Sequence, residues 1–148
     1  MTSKEKPTVV WFQAITCNGN THSLLSANSS RLELFFNSFN LIYHPSLTIE
    51  KTLDDILNQK EQIDFLLIEG AITSNEKFFS ISNDTTFNLL NKLALKSKYI
   101  IAVGSCASNG GIHTKFTQNN DIQGINDSID KQTINKLEHS IINLTGCP

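Results

Sequence analysis

The sequence predicts an α/β fold built on an open parallel sheet with helices on both faces, and three observations predict it. Short apolar runs alternate with longer segments of helical periodicity, the pattern that winds strands into one parallel sheet through helical crossovers. The strongest run, Ile63-Asp64-Phe65-Leu66-Leu67-Ile68-Glu69-Gly70, is apolar almost throughout, as a core strand must be. Three of the runs lead directly into loops that carry glycine together with Cys17, Cys106 or Cys147. Loops at the carboxyl ends of such strands converge on one edge of the sheet, so the three thiols are expected to meet there.

Taken in order, Thr8-Val9-Val10-Trp11-Phe12 is the first strand. Beyond its cysteine loop, Leu24, Leu25, Leu32, Phe35 and Phe36 give His22 to Asn37 the spacing of an amphipathic helix, capped by Asn20 or Thr21. Leu41-Ile42-Tyr43 is a short strand stopped at His44-Pro45, because a residue before proline is pushed out of helical geometry. Leu53, Ile56 and Leu57 mark a helix within Ile49 to Lys60, and the Ile63 strand follows, ending in Glu69. Ala71 to Ser82 reads as a loop. Asp84 to Lys98 reads as a helix with Phe87, Leu90, Leu93 and Ala94 on one side, and Tyr99-Ile100-Ile101-Ala102-Val103 as the next strand. From His113 to Asp130 the periodicity fades into an irregular excursion, long enough for a lid or a partner-binding segment. Lys131 to Ser140 is the last helix and Ile141-Ile142-Asn143-Leu144 the last strand, read as buried. With about five strands in this alternation, the order resembles a flavodoxin-like architecture.

The chain has 148 residues, 39% of them hydrophobic, which suits one domain with a real core. A net charge of −2 with no basic block gives no reason to expect nucleic acid or an anionic membrane surface. No apolar run approaches the ~20 residues of a membrane span, so direct membrane insertion is not expected. Met1-Thr2-Ser3-Lys4-Glu5-Lys6 has no apolar segment and no twin arginine, and a cytosolic location is the expectation. An odd number of cysteines without an export signal argues for reduced thiols used as ligands or nucleophiles. Because the chain stops one residue after Cys147, residues 1–148 are read as a single domain truncated at its C-terminal end.

Thiols spread over three distant loops are unlike a zinc ribbon, whose cysteines come in close pairs. They suit an iron-sulfur cluster, which needs several thiolates around a bulky core and backbone amides on its sulfurs. Gly19, Gly104, Gly110, Gly111 and Gly146 flank the cysteines, where missing side chains let the backbone come close. A single free cysteine often only fills a core. Three in succession, each beside glycine, argue for a site.

At these residues the sequence resembles a known family, the small electron-transferring subunit of nickel-iron hydrogenases, in its N-terminal flavodoxin-like half. Val9-Val10-Trp11-Phe12-Gln13, Cys17-Asn18-Gly19-Asn20 and Ser23-Leu24-Leu25 are similar to that family's first strand, C-x-G-C loop and helix start. Tyr43-His44-Pro45-Ser46-Leu47, Leu67-Ile68-Glu69-Gly70-Ala71-Ile72, Ala102-Val103-Gly104-Ser105-Cys106-Ala107 through Gly110-Gly111-Ile112, and Gly146-Cys147-Pro148 follow in the family's order. The resemblance implies a 4Fe-4S cluster, the proximal one, held by Cys17, Cys106 and Cys147 and facing a large subunit with a nickel-iron site. Asn20 stands where the family has a fourth cysteine. A neutral amide is a poorer ligand than a thiolate, so Asn20 permits weak oxygen ligation, an open iron, or a 3Fe-4S cluster that has lost one iron. Oxygen-tolerant relatives carry extra cysteines that would fall at Gly19 and Gly111, so the unusual 4Fe-3S cluster is not expected. By the same resemblance Glu69 lies close to the cluster, the alternative being a carboxylate solvated at the sheet edge. In the family a domain with further clusters often follows. Trp11, Phe78, Phe79 and Phe116 are candidates for an interface, with core packing the simpler reading for Trp11.

Two other functions compete. A degenerate, non-redox relative would bind or help assemble a large subunit without holding iron. A cysteine hydrolase would use Cys106 as nucleophile on a strand-to-helix elbow, with His113 or His139 as base. The hydrolase leaves Cys17 and Cys147 without a role.

Overall fold

The computed structural model describes residues 5–115, 117, 121–137 and 141–147. Its centre is a sheet of five strands: β1 (Thr8–Gln13), β2 (Asn40–Tyr43), β3 (Ile63–Glu69), β4 (Ser97–Val103) and β5 (Ile142–Leu144). They lie in the order β2-β1-β3-β4-β5, and every neighbouring pair is parallel. The chain thus starts in the middle, winds to one edge, returns, and continues to the other. Gln13 pairs with Glu69 and Glu69 with Val103, so β1, β3 and β4 end level with one another. The loops after them leave from one edge, as the strand pattern predicts.

Alternation along each strand sorts the side chains between two layers. Val10, Phe12, Leu66, Ile68, Ile100 and Ala102 join the main core. Its other side comes from Leu53 and Ile56 of α3 (Leu53–Asn58) and Leu89, Leu90 and Leu93 of α4 (Thr86–Ala94). On the opposite face, Phe35 and Phe39 are brought by α2 (Ser29–Ser38) to Val9 and Phe65. There Phe39 meets Phe65 edge-on and Phe65 stacks on Tyr99. Helices therefore stand on both faces.

Several boundaries differ from the sequence reading. The helix expected from His22 to Asn37 is two: α1 (Gly19–Leu25) and α2, divided where Asn28 turns to extended backbone and accepts a hydrogen bond from Arg31 N. Neither Asn20 nor Thr21 caps α1. Its N-cap is Asn18, in left-handed geometry and without a side-chain cap bond. The helix expected within Ile49 to Lys60 shortens to α3, because Thr52 and Asp55 form a reciprocal capping box at its start. The helix expected from Asp84 to Lys98 begins after the Thr85 cap and ends at Ala94, and β4 takes Ser97 and Lys98.

The segment expected as a plain loop after Ala71 holds two short strands. Ile72–Thr73 pairs antiparallel with Ile122–Gln123, and Ser80–Ile81 with Asp84–Thr85. The stretch from His113 to Asp130 is accordingly less irregular than expected. It contains part of a 3-10 turn at Gly111–Lys115, the Ile122–Gln123 strand and α6 (Ile125–Ser128), with Ile125 fully buried. The last helix is described as α7 (Lys131–Ile134), and the rest of the expected span through Ser140 includes 138–140, which lie outside the described residues. β5 is not buried: Ile142 and Leu144 are exposed, because this edge strand has a neighbour on one side only.

One polar tie closes the amino-terminal end of the sheet. Asp64 accepts from Thr8 N, Thr8 Oγ1 and Lys98 Nζ, joining β1, β3 and β4. The Lys98 hydrogen bond is the largest influence on its pKa, and with the weaker help of Thr8 it outweighs burial and holds the pKa below the ordinary carboxylate value. A depressed carboxylate stabilises the fold above its unfolded pKa, about 3.9, and that contribution disappears as pH falls through the lower folded value. Asp64→Asn is therefore expected to lower the melting temperature at pH 7. Measured down an acid series, the gap from the parent should close only below about pH 4.

Candidate functional site

Three loops meet at the carboxyl edge. β1 runs on to Ile15, which bridges to Ala71 through hydrogen bonds in both directions. Cys17 follows in a turn where Asn18 N donates to Thr16 Oγ1, and α1 starts at Gly19. β4 leads without a loop into α5 (Gly104–Asn109), whose first turn carries Cys106. β5 leads to Gly146 and Cys147. Ser105 clasps that last segment, its N and Oγ both donating to Gly146 O, at 2.7 and 2.9 Å. Asn20 ties the first loop to the second, with Nδ2 donating to Val103 O at 3.4 Å.

All three cysteines are free thiols, Cys17 and Cys147 exposed and Cys106 half-buried between them. Burial, and after it the neighbouring Cys17, Cys147 and Glu69, push the Cys106 thiol above its ordinary pKa. Such a thiol is a poor nucleophile unless a cation or metal draws off its proton. No hydrogen bond joins Cys106 to a histidine among the described residues, and His139 lies outside them. The hydrolase geometry is therefore not formed around His113. Nor is any group of three or more His, Cys, Asp or Glu tight enough to hold a single metal ion among the described residues.

The glycines at this edge allow the close packing expected of them. Gly111 has φ 56°, and a Cβ there would lie 2.8 Å from Cys106 Sγ. Gly104 has φ 87°, and a Cβ there would collide with the Asn20 amide nitrogen. Gly19 is the first residue of α1. Asn20 thus fills the space that Gly104 leaves open, with its nitrogen turned to the β4 carbonyl.

Glu69 is not solvated. It is fully buried at the end of β3, and Trp11 Nε1, Gln13 Nε2 and Thr21 Oγ1 donate to its Oε2. Asn20 N, Thr21 N and Thr16 Oγ1 donate to its Oε1. Burial alone would raise its pKa, but the bonds from Thr21, Gln13 and Trp11 together outweigh burial and hold it below the ordinary value. The carboxylate takes the place of the missing side-chain cap on α1. Beneath it, His44 is fully buried with Nε2 3.2 Å from Thr21 Oγ1, while its Nδ1 accepts from Ser46 N.

Sequence reasoning used Thr21 only as a candidate helix cap and His44 only as a strand stop within a family-like segment, and joined neither to Glu69. Trp11 is 4% exposed and belongs to the core, as the simpler reading had it. Phe78 and Phe79 are exposed at 48% and 37%, in keeping with an interface role, and Phe116 lies outside the described residues. Phe79 and Ile81 border an open cavity of about 560 Å³ beside the Cys17 loop, shared with Ala14, Ile15, Tyr43 and Pro45.

Fold and edge together define a parallel α/β domain that presents three thiols from three strand-end loops over a buried carboxylate. The chain belongs to the family described as NADH ubiquinone oxidoreductase, 20 Kd subunit, which matches residues 17–148. It is similar to the periplasmic NiFe hydrogenase small subunit 1 of Nitratidesulfovibrio vulgaris, 27% identical over 157 residues, covering 100% of this chain and 48% of that protein. The periplasmic NiFeSe hydrogenase small subunit of Desulfomicrobium baculatum is 30% identical over 163 residues, covering 97% and 51%. A crystal structure of a reduced, active form of the Ni-Fe-Se hydrogenase from Desulfomicrobium baculatum superposes with a TM-score of 0.77 at 27% identity, covering 97% of this chain and 57% of its counterpart. The chain spans about half the length of the curated relatives it matches.

Proposed function

We propose that this chain is the cluster-bearing part of a hydrogenase small subunit, passing electrons between an iron-sulfur cluster at its three-thiol edge and a nickel-iron site in a large subunit. The single observation that carries the reading is the convergence of Cys17, Cys106 and Cys147, tied loop to loop by Ser105 and Asn20. Free thiols from three loops, lined by glycines, are the donor type and setting that an iron-sulfur cluster takes. The similarity to hydrogenase small subunits supports the same choice. Such a cluster supplies one-electron chemistry when bound.

Cys17, Cys106 and Cys147 would hold it, with Asn20 at the fourth position. The Asn20 nitrogen's bond to Val103 leaves the amide oxygen, a weak neutral donor, as the atom that would meet iron, so weak oxygen ligation, an open iron in a 4Fe-4S cluster and a 3Fe-4S cluster all stand as outcomes. Gly19, Gly104 and Gly111 would let the backbone close around it. Phe78, Phe79 and the cavity beside the Cys17 loop would form part of the surface that meets the large subunit. Two relatives named above are called periplasmic, which stands against the cytosolic expectation, and the proposal is made without a compartment.

The test is iron and acid-labile sulfide analysis, with paramagnetic resonance spectra, on protein made anaerobically together with its neighbouring large subunit. About three or four irons per chain with a reducible signal are expected. A complex that forms without iron would replace this reading with the non-redox binding partner.

A further inference from the structure

The Glu69 carboxylate is a buried group with no counter-charge paired to it among the described residues. Six hydrogen bonds reach it, and every one comes from an N–H or O–H group. Four of the six are N–H groups that can only donate, and Thr21 Oγ1 already accepts from Gln13 Nε2, so the shell favours the anion. The ion pairs among the described residues are Lys92–Asp84 and Lys98–Asp64, and neither involves it. The nearest histidine, His44, reaches Glu69 only through Thr21, and its Nδ1, which accepts from Ser46 N, keeps the ring uncharged. The charge is also fixed in place. Two of its donors are the backbone N–H groups of Asn20 and Thr21 in the first turn of α1, immediately after Cys17. Thr16, the residue before Cys17, donates to it as well, which places the charge directly under the cysteine loop.

We propose that Glu69 is a positioning residue with an electrostatic effect: it holds the Cys17–Asn20 turn from beneath and, as a fixed buried anion, biases the redox group of the three-thiol site toward its oxidised state. The inference rests on the iron-sulfur reading given above. One-electron reduction places one more negative charge at the edge, and in a poorly screened interior a nearby anion opposes it. The donors of Trp11, Gln13 and Thr21 spread the Glu69 charge without cancelling it.

The test is a potentiometric titration of the complex with its large subunit, using a chemical reductant to supply the electron and following the cluster by paramagnetic resonance. Glu69→Gln removes the charge and keeps the shape. The midpoint potential is expected to rise, changing the reduced-to-oxidised ratio at fixed potential about tenfold, or about 59 mV for a one-electron couple. Trp11→Phe removes one donor and keeps the charge, so its potential is expected to fall. A loosened loop would move both variants the same way, whereas an electrostatic role moves them oppositely. If Glu69→Gln fails to retain iron, the sign of the Trp11→Phe shift decides. Potentials unmoved, or moved together, in complexes that load iron like the parent would overturn this inference alone. A parent complex without iron would overturn it together with the function on which it rests.

Discussion

Replacing any one of Cys17, Cys106 or Cys147 by alanine is expected to strip most of the iron from the protein, by more than the roughly tenfold that even the loss of an outer-shell partner costs a metal site. The expectation follows from how few strong ligands the edge has. With three thiols and one amide there is no spare thiolate to take over a lost position. Cys106 should show the largest loss, since it lies half-buried and feels both other thiols. Asn20→Ala should cost much less iron than any cysteine variant, because a neutral amide is a far weaker ligand than a thiolate. Iron and sulfide content per chain, measured on the four variants side by side, checks this. A hydrolase would behave differently: iron would be irrelevant, and only Cys106→Ala would matter.

The sheet was legible in the sequence because its strands are apolar runs with clear ends, and the register of β1, β3 and β4 put the cysteine loops at one edge as expected. Helix ends were less legible, since they turn on local capping that competes with periodicity. Asn28 breaks one apolar stripe into two helices, and Thr52 with Asp55 shortens another. The small antiparallel pairs, Ile72–Thr73 with Ile122–Gln123 above all, join residues far apart in sequence, and two residues are too few to show a period. Burial of β5 was misjudged because an apolar run does not reveal whether its strand is central or at an edge.

At the site, thiol chemistry and the flanking glycines singled out Cys17, Cys106 and Cys147, whereas Asn20 came only from the resemblance to a family that has a cysteine there. Sequence reasoning could not decide Glu69. A glutamate at a strand end is usually hydrated, and only the tertiary arrangement brings Trp11, Gln13 and Thr21 around it. The same holds for His44, placed before a proline as a strand stop and found buried under Thr21. These groups depend on partners tens of positions away, and their chemistry appears only once the sheet has formed.

Gly70→Ala is expected to be among the most destabilising single changes outside the core, and to act on the site through the backbone alone. Gly70 follows Glu69 with φ 104°, a conformation that an L side chain rarely adopts, and a Cβ there would lie 2.6 Å from Ile15 O and 2.9 Å from Thr16 Cβ. The first contact is with main chain that is itself held by the Ile15–Ala71 bridge, so it cannot swing aside as a side chain would. Strain at such a residue costs about 1–3 kcal/mol before the clash is counted. For a domain of this size, a loss of about 3 kcal/mol lowers the melting temperature by about 6–12 °C, which thermal unfolding of parent and variant would show. Relief of the clash must push β3's exit away from Ile15 and Thr16, one residue before Cys17, and draw Glu69 away from the first turn of α1. Hydrogen exchange should therefore quicken at Asn20 N and Thr21 N while the amides of β3 and β4 stay protected. Uniform loss of protection across the sheet would show instead that Gly70 serves the whole fold and not the cysteine edge.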